Sequence, residues 1–268
     1  MKKYSISVIF LLLAIVLQAA NMEKQNRSTS PFTSIRSSSS IDVVVEQTGQ
    51  YALEVIAPEK YLANIITEVT GGELHIYMNK SMNYSGEIVV HVQVKDLKSV
   101  FLSGSGDFET RGELKAPEFL FRISGSGDLS AQLNSRVVNG SVNGSGDAEI
   151  SGVTERLELH QSGSGDIIAT KLHLLYAKLR MSSSGDCKFV GNSDYFELSQ
   201  SGSGDFLGRD FDTEDAKIRK SSSGDTRIVV NKSIDISISG SGDLYYSGKP
   251  EFNNITVTGS GDIVRINK

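Results

Sequence analysis

The chain has 268 residues, 38% of them hydrophobic, with 26 glycines, four prolines, no tryptophan, one cysteine and a formal charge of −5. The acidic balance argues against nucleic acid and anionic membrane surfaces as partners. A lone cysteine excludes an internal disulfide, so stability has to come from burial. No stretch repeats apolar residues at helical spacing for three turns, which predicts very little helix.

Residues 1–20 read as an address. Lys2 and Lys3 precede an apolar run from Ile6 to Leu17, followed by Gln18-Ala19-Ala20. That is the order of a secretory signal peptide, and it is shorter than a comfortable bilayer span; a retained N-terminal anchor is the competing reading. The expected destination is the periplasm, the outer-membrane surface or the extracellular space. No cysteine follows the apolar run, so lipid anchoring by the usual route is not available. Residues 21–31 are polar and aperiodic and read as a linker.

A single domain is expected over 32–268. Its first part, 32–98, carries short runs rich in Val, Ile and Tyr: 41–46, 51–57, 74–78 and 88–94, with Gly71-Gly72 as turn residues. These read as strands. The segment reads as a non-repetitive lead-in or cap for the repeats beyond it, because a repetitive sheet stack needs its open end covered.

From residue 99 onward the tetrapeptide Ser/Gly-Ser-Gly-Asp occurs nine times, ending at Asp107, Asp128, Asp147, Asp166, Asp186, Asp205, Asp225, Asp243 and Asp262. The gaps never leave 18 to 21 residues. A period near 20 sustained over eight steps means one supersecondary unit stacked on copies of itself. Counted from each Asp, the slots at −7, −5 and +1 are mostly apolar, so alternation turns them inward. The glycines at −3 and −1 share that parity. The even slots then face outward. At −2 stand Ser105, Ser126, Ser145, Ser164, Ser184, Ser203, Ser223, Ser241 and Ser260; the −4 slot carries Ser, Asn or Thr, and the −6 slot repeats cations at Arg122, His160, Arg180 and Arg219. At about 4.8 Å per coil the columns would be on the order of 40 Å tall. The fold class is all-β, a parallel β-helix or β-solenoid of about 20 residues per coil.

Like charges facing each other across strands are destabilising, so the Asp column needs compensation. The leading expectation is that each carboxylate accepts hydrogen bonds from the hydroxyls and N–H groups of its own turn, as an Asx turn does, with Gly supplying positive φ or close backbone approach. Calcium bridging adjacent carboxylates is an alternative, although one carboxylate per coil offers few strong ligands; no cofactor is otherwise expected. A third reading makes the Ser and Asp columns a face for a glycan or a surface protein. The outward slots show no aromatic platform for sugars, Tyr245 being the nearest approach.

Enzyme signals are weak, and no catalytic residue is assigned. The runner-up is a polysaccharide lyase or hydrolase on a β-helix, but such sites interrupt the repeat. Cys187 occupies the inward +1 slot and reads as core. His75, His91, His160 and His173 lack metal-ligand spacing. Gln161, Gln200 and Lys220 fall in the mainly apolar −5 slot and mark either a polar patch or an error of parity.

The repeat, together with Phe32-Thr-Ser-Ile35, Ile41-Asp-Val-Val-Val-Glu46 and Gly72-Glu-Leu-His-Ile76, resembles the bacterial putative auto-transporter adhesin family with a head GIN domain, a domain of unknown function. The resemblance covers residues 32–268. It implies a right-handed β-helix shaped like the pectin-lyase folds, without their catalytic residues, in an exported protein. Many members carry a lipoprotein cysteine, which this chain lacks. The expected role is adhesion or ligand binding through the repetitive Ser and Asp face. A glycan, a surface protein or a second copy of the chain are the partner classes left open; nucleic acid is not among them.

Overall fold

The computed structural model describes residues 22–79 and 87–267; the expected signal peptide lies outside them. The first elements are β1 (Met22–Arg27), β2 (Ser34–Ser37), β3 (Asp42–Gln47), β4 (Ala52–Pro58), the one-turn helix α1 (Glu59–Leu62), β5 (Ile65–Thr70), β6 (Glu73–Met78) and β7 (Val89–Val94). Then come β8 (Ser99–Leu102), β9 (Phe108–Thr110), β10 (Leu114–Lys115), β11 (Glu118–Ile123), β12 (Leu129–Val142) and β13 (Ala148–Gln161). The last are β14 (Ile167–Ser183), β15 (Cys187–Gly202), β16 (Phe206–Lys220), β17 (Thr226–Ile238), β18 (Leu244–Gly248), β19 (Glu251–Val257) and β20 (Ile263–Arg265).

From β12 to β17 each strand pairs in parallel with the next, which makes a β-solenoid of about 19 residues per coil. One coil is a long bent strand closed by the Ser-Gly-Ser-Gly-Asp corner. The bend is marked by register shifts and left-handed backbone, for example at Gly152 (φ 82°) and Lys171 (φ 52°). Alternation carries the core inward: the −7, −5 and +1 slots are buried in nearly every coil. The final coil breaks the rule, with Ile255 and Val257 at 52% and 43% exposure, because no coil is stacked on them.

Large side chains fit because small ones sit above and below them. Phe196 lies between Ala177 and Ala216 in its column, and Phe189 lies beside Ala169. Phe189, Phe196, Phe206 and Phe211 form one aromatic cluster with centroid separations of 5.0 to 5.8 Å. Cys187 is fully buried as expected, and burial pushes its thiol pKa well up, so it is an inert core residue.

The N-terminal part departs from the linker and lead-in expectations. Met22–Arg27, read as linker, is strand β1, antiparallel to β4. Arg27 ties it down, its guanidinium donating to the carbonyls of Leu62 and Ile65. Residues 34–47 are themselves a coil: β2 pairs in parallel with β8 and β3 with β9. The tetrapeptide is absent there, so the period could not reveal this rung. Strands β6 and β7 stack in parallel on β2 and β3; the cap proper is antiparallel, β4 on β7, β5 on β6 and β1 on β4, with helix α1 against β4 and β1.

The candidate functional site

The corner explains the repeat. A Cβ added at Gly165 would lie 2.0 Å from the carbonyl oxygen of Gly146, and one at Gly146 would lie 2.0 Å from that of Gly127. Glycine at −1 is therefore required by the approach of one coil to the next. Positive φ is not the reason: among the repeat glycines only Gly202 adopts it.

The Asp side chains form a ladder that runs between coils rather than within a turn. The N–H of Asp128 donates to Oδ1 of Asp107 at 2.8 Å, that of Asp147 to Asp128 at 2.8 Å and that of Asp166 to Asp147 at 2.7 Å. The series continues through Asp186, Asp205, Asp225, Asp243 and Asp262. The own-turn expectation is corrected, because in-register stacking puts each carboxylate beneath the next coil's amide. Asp42 extends the ladder by accepting from the N–H of Asp107 at 2.9 Å. Burial pushes the Asp42 carboxyl up, partly offset by that hydrogen bond. At the other end Asp262 donates to Asp243, whose carboxyl is held down by this bond and by the Tyr245 hydroxyl. Arg227 reaches Asp205 and Asp225 at 3.4 and 3.2 Å and neutralises part of the column. No cluster of three or more metal-ligating side chains occurs among the described residues.

Replacing Asp166 by Ala removes the acceptor for the Asp186 amide and is expected to cost about 1–2 kcal/mol in urea unfolding. Asp166→Asn keeps an acceptor oxygen at that place and should cost markedly less.

The polar residues in the −5 slot point inward, so the strand parity holds there too. Gln161 donates from Nε2 to the carbonyls of Gly165 and Asp186, and Gln200 to those of Gly204 and Asp225. Lys220 donates to Ser222 Oγ at 2.9 Å and to the Gly224 carbonyl. They satisfy the inward carbonyls of the corner. Burial lowers the Lys220 pKa to about 8, against the pull of the nearby Asp225, Asp205 and Asp243. A depressed ammonium pKa means the unfolded chain binds more protons between pH ~8 and the ordinary lysine value, so the penalty is full below ~8 and fades as pH rises. Lys220→Met lifts that penalty but leaves the Gly224 carbonyl with Ser222 alone as side-chain donor, so its stability relative to wild type should be highest below pH ~8. That relative stability should fall toward pH 10 in parallel thermal melts.

Outside the sheet, the −6 slots stack into one column. Its members, by strand register, are His75, Arg36, Phe101, Arg122, Ser141, His160, Arg180, Ser199, Arg219, Ser237 and Thr256. No acid interrupts it. The Arg36 and Arg122 guanidiniums lie 4.5 and 6.0 Å from the Phe101 ring centroid. On the same face, beyond Lys178 and Glu197, Tyr176 and Tyr195 stack at 5.8 Å with Arg156 over Tyr176. The absence of an outward aromatic platform is therefore corrected. These tyrosines stand at −10, beyond the slots that the repeat makes obvious. The −2 serines are exposed at the neighbouring corner wherever the repeat occurs. Of the histidines, His160 and His75 lie in this column, His75 also beside Glu73 at 3.2 Å, and His173 lies against Asn192 at 3.1 Å.

A parallel β-solenoid with an Asp–amide ladder at every corner and a polar outer sheet is thus the class of protein. The chain belongs to the family described as "putative auto-transporter adhesin, head GIN domain", whose model matches residues 31–188 and 176–250. Among solved structures it is similar to a putative lipid binding protein from Parabacteroides distasonis, at 25% identity and a TM-score of 0.65, over 93% of this chain and 98% of that one. A putative adhesin from the same organism gives 18% identity and a TM-score of 0.64, covering 92% and 98% of the two chains. A putative adhesin from Parabacteroides merdae gives 18% and 0.63, covering 92% and 96%. No curated protein matches the chain.

Proposed function

We propose that the chain is an exported, non-enzymatic binding protein of the cell envelope that holds an extended ligand along the outside of its solenoid. The observation that carries this reading is the in-register outward columns: a serine at −2 in every coil, a hydroxyl at −4 in all but one, and a basic residue at −6 in four of the nine repeats. A repeating surface suits a repeating ligand, since each added unit meets the same contacts and weak contacts sum. The family's adhesin description and the exported destination read from residues 1–20 agree with a place at the cell surface. The Asp column has a smaller part in recognition than its outward slot suggests, because one oxygen of each carboxylate along the ladder is engaged by the next amide. The −2 hydroxyls and the cations are the groups left for a ligand. The −4 hydroxyls serve mainly as acceptors, since those of Ser103, Ser124, Ser182 and Ser201 donate to carbonyls of the preceding coil. The test is an array of glycans and matrix proteins probed with the purified chain: retention of at least one extended polymer supports the reading, and no retention on any surface sinks it.

A further inference from the structure

The −6 column runs along the floor of a shallow trough on the outer sheet. Three contiguous depressions of about 350, 420 and 280 Å³ follow one another along the solenoid, sharing His160 and Arg180 between the first two and Arg219 between the last two. Arg122, His160, Arg180 and Arg219 are all exposed in it. Arg122 and Arg180 make no ion pair with a carboxylate among the described residues. Arg219 is paired with Glu197 at 3.0 Å, and Lys178 shares that carboxylate at 2.9 Å. Glu158, the one acid lining the first depression, is held by Arg156. In a chain with a net charge of −5, this is a straight strip with no acid in the column itself; of the acids beside it, Glu158 and Glu197 are paired with cations and Asp235, in the third depression, accepts from Asn254.

We propose that this trough is a binding track for an acidic polysaccharide, carboxylated or sulfated, lying parallel to the solenoid axis. The proposal rests on the reading of the outer sheet as a ligand surface and names the ligand's chemistry. Three features select that class. Arg guanidiniums match carboxylate and sulfate oxygens in a planar, bidentate fashion. Five coil steps separate Arg122 from Arg219, roughly 24 Å at strand spacing, so only an extended polymer reaches all of the cations. The hydroxyl column at −4 on one side, and the stacked Tyr176 and Tyr195 beyond the −8 column on the other, offer the hydrogen bonds and apolar ring faces that sugar rings take up. A lipid surface fits less well: among the described residues no exposed large apolar side chain stands in the column, whose one ring, Phe101, is half-buried between Arg36 and Arg122.

The test uses immobilised polygalacturonate, dextran sulfate and neutral dextran, with phosphatidylglycerol vesicles as the lipid arm. The chain is expected to bind at least one of the two acidic polymers and not dextran, with affinity falling as salt rises. The variant Arg122→Ser/Arg180→Ser/Arg219→Ser should weaken that binding at least about tenfold. Its melt should stay close to wild type, because serine already occupies this column at Ser141, Ser199 and Ser237. The variant Arg111→Ser/Arg136→Ser/Arg209→Ser removes the same charge outside the column and should bind as wild type does. Equal loss in the two variants, undiminished binding by the first, or capture by vesicles alone overturns the track. If neither acidic polymer binds while another array surface does, the track fails and the envelope-binding reading stands; if no surface binds, both fail.

Discussion

Phe196→Ala should lower the unfolding free energy by about 3–5 kcal/mol, the range for truncating a fully buried aromatic. The reason lies in the column that holds it. Its neighbours above and below are Ala177 and Ala216, so the substitution leaves three alanines in succession and nothing long enough to close the gap. The rings of Phe189, Phe206 and Phe211, all within 5.8 Å of it between centroids, lose their common partner. Phe196→Leu retains most of the volume and should cost roughly a third as much. Urea unfolding followed by circular dichroism reads both. A loss below about 1 kcal/mol for the alanine variant would mean that the cluster is not the packing centre of these coils.

Gly165→Ala should be nearly as damaging, at about 3 kcal/mol, for the opposite reason of overpacking. The new methyl would sit 2.0 Å from the Gly146 carbonyl oxygen, and that oxygen belongs to backbone held by the coil-to-coil ladder, so it cannot step aside. The two coils must part locally, stretching the hydrogen bond from Asp166 to Asp147. In a stacked array each unit is stabilised by its neighbours alone, so position decides the cost. Gly261→Ala, in the last rung, makes a similar contact with Gly242 at 2.3 Å but can be relieved by fraying of that rung, and it should cost much less. Equal effects at the two positions would refute the account of glycine as a coil-spacing device.

Most of the architecture was legible because the corner and the core slots repeat. Nine Gly-Asp corners at 18 to 21 residues gave the coil length, and alternation about each Asp placed Val100, Leu198 and Ile218 inside and Ser105, Arg180 and Arg219 outside, as found. The same parity held where it looked doubtful: Gln161, Gln200 and Lys220 are inside because corner carbonyls there need donors. The first coil was not legible. Residues 34–47 lack the tetrapeptide, and Asp42 is recognisable as a ladder member only once β3 is seen beside β9. Strand β1 escaped because its sequence is polar after Met22, and an edge strand buries too little to show alternation.

The cation column was visible in the sequence as a slot, yet Arg36 and Phe101 join it only through the pairing of β2, β8 and β11. Tyr176 and Tyr195 likewise meet only across adjacent coils. The sequence by itself determined the coil, its period and which side chains face in or out, because alternation and spacing are local properties of a strand. The tertiary structure decided what each outward group can do. An Asp that could have served its own turn instead receives the amide of the next coil, because stacking in register sets the two a hydrogen bond apart. An Arg at every second or third rung becomes a continuous track only when the rungs are stacked.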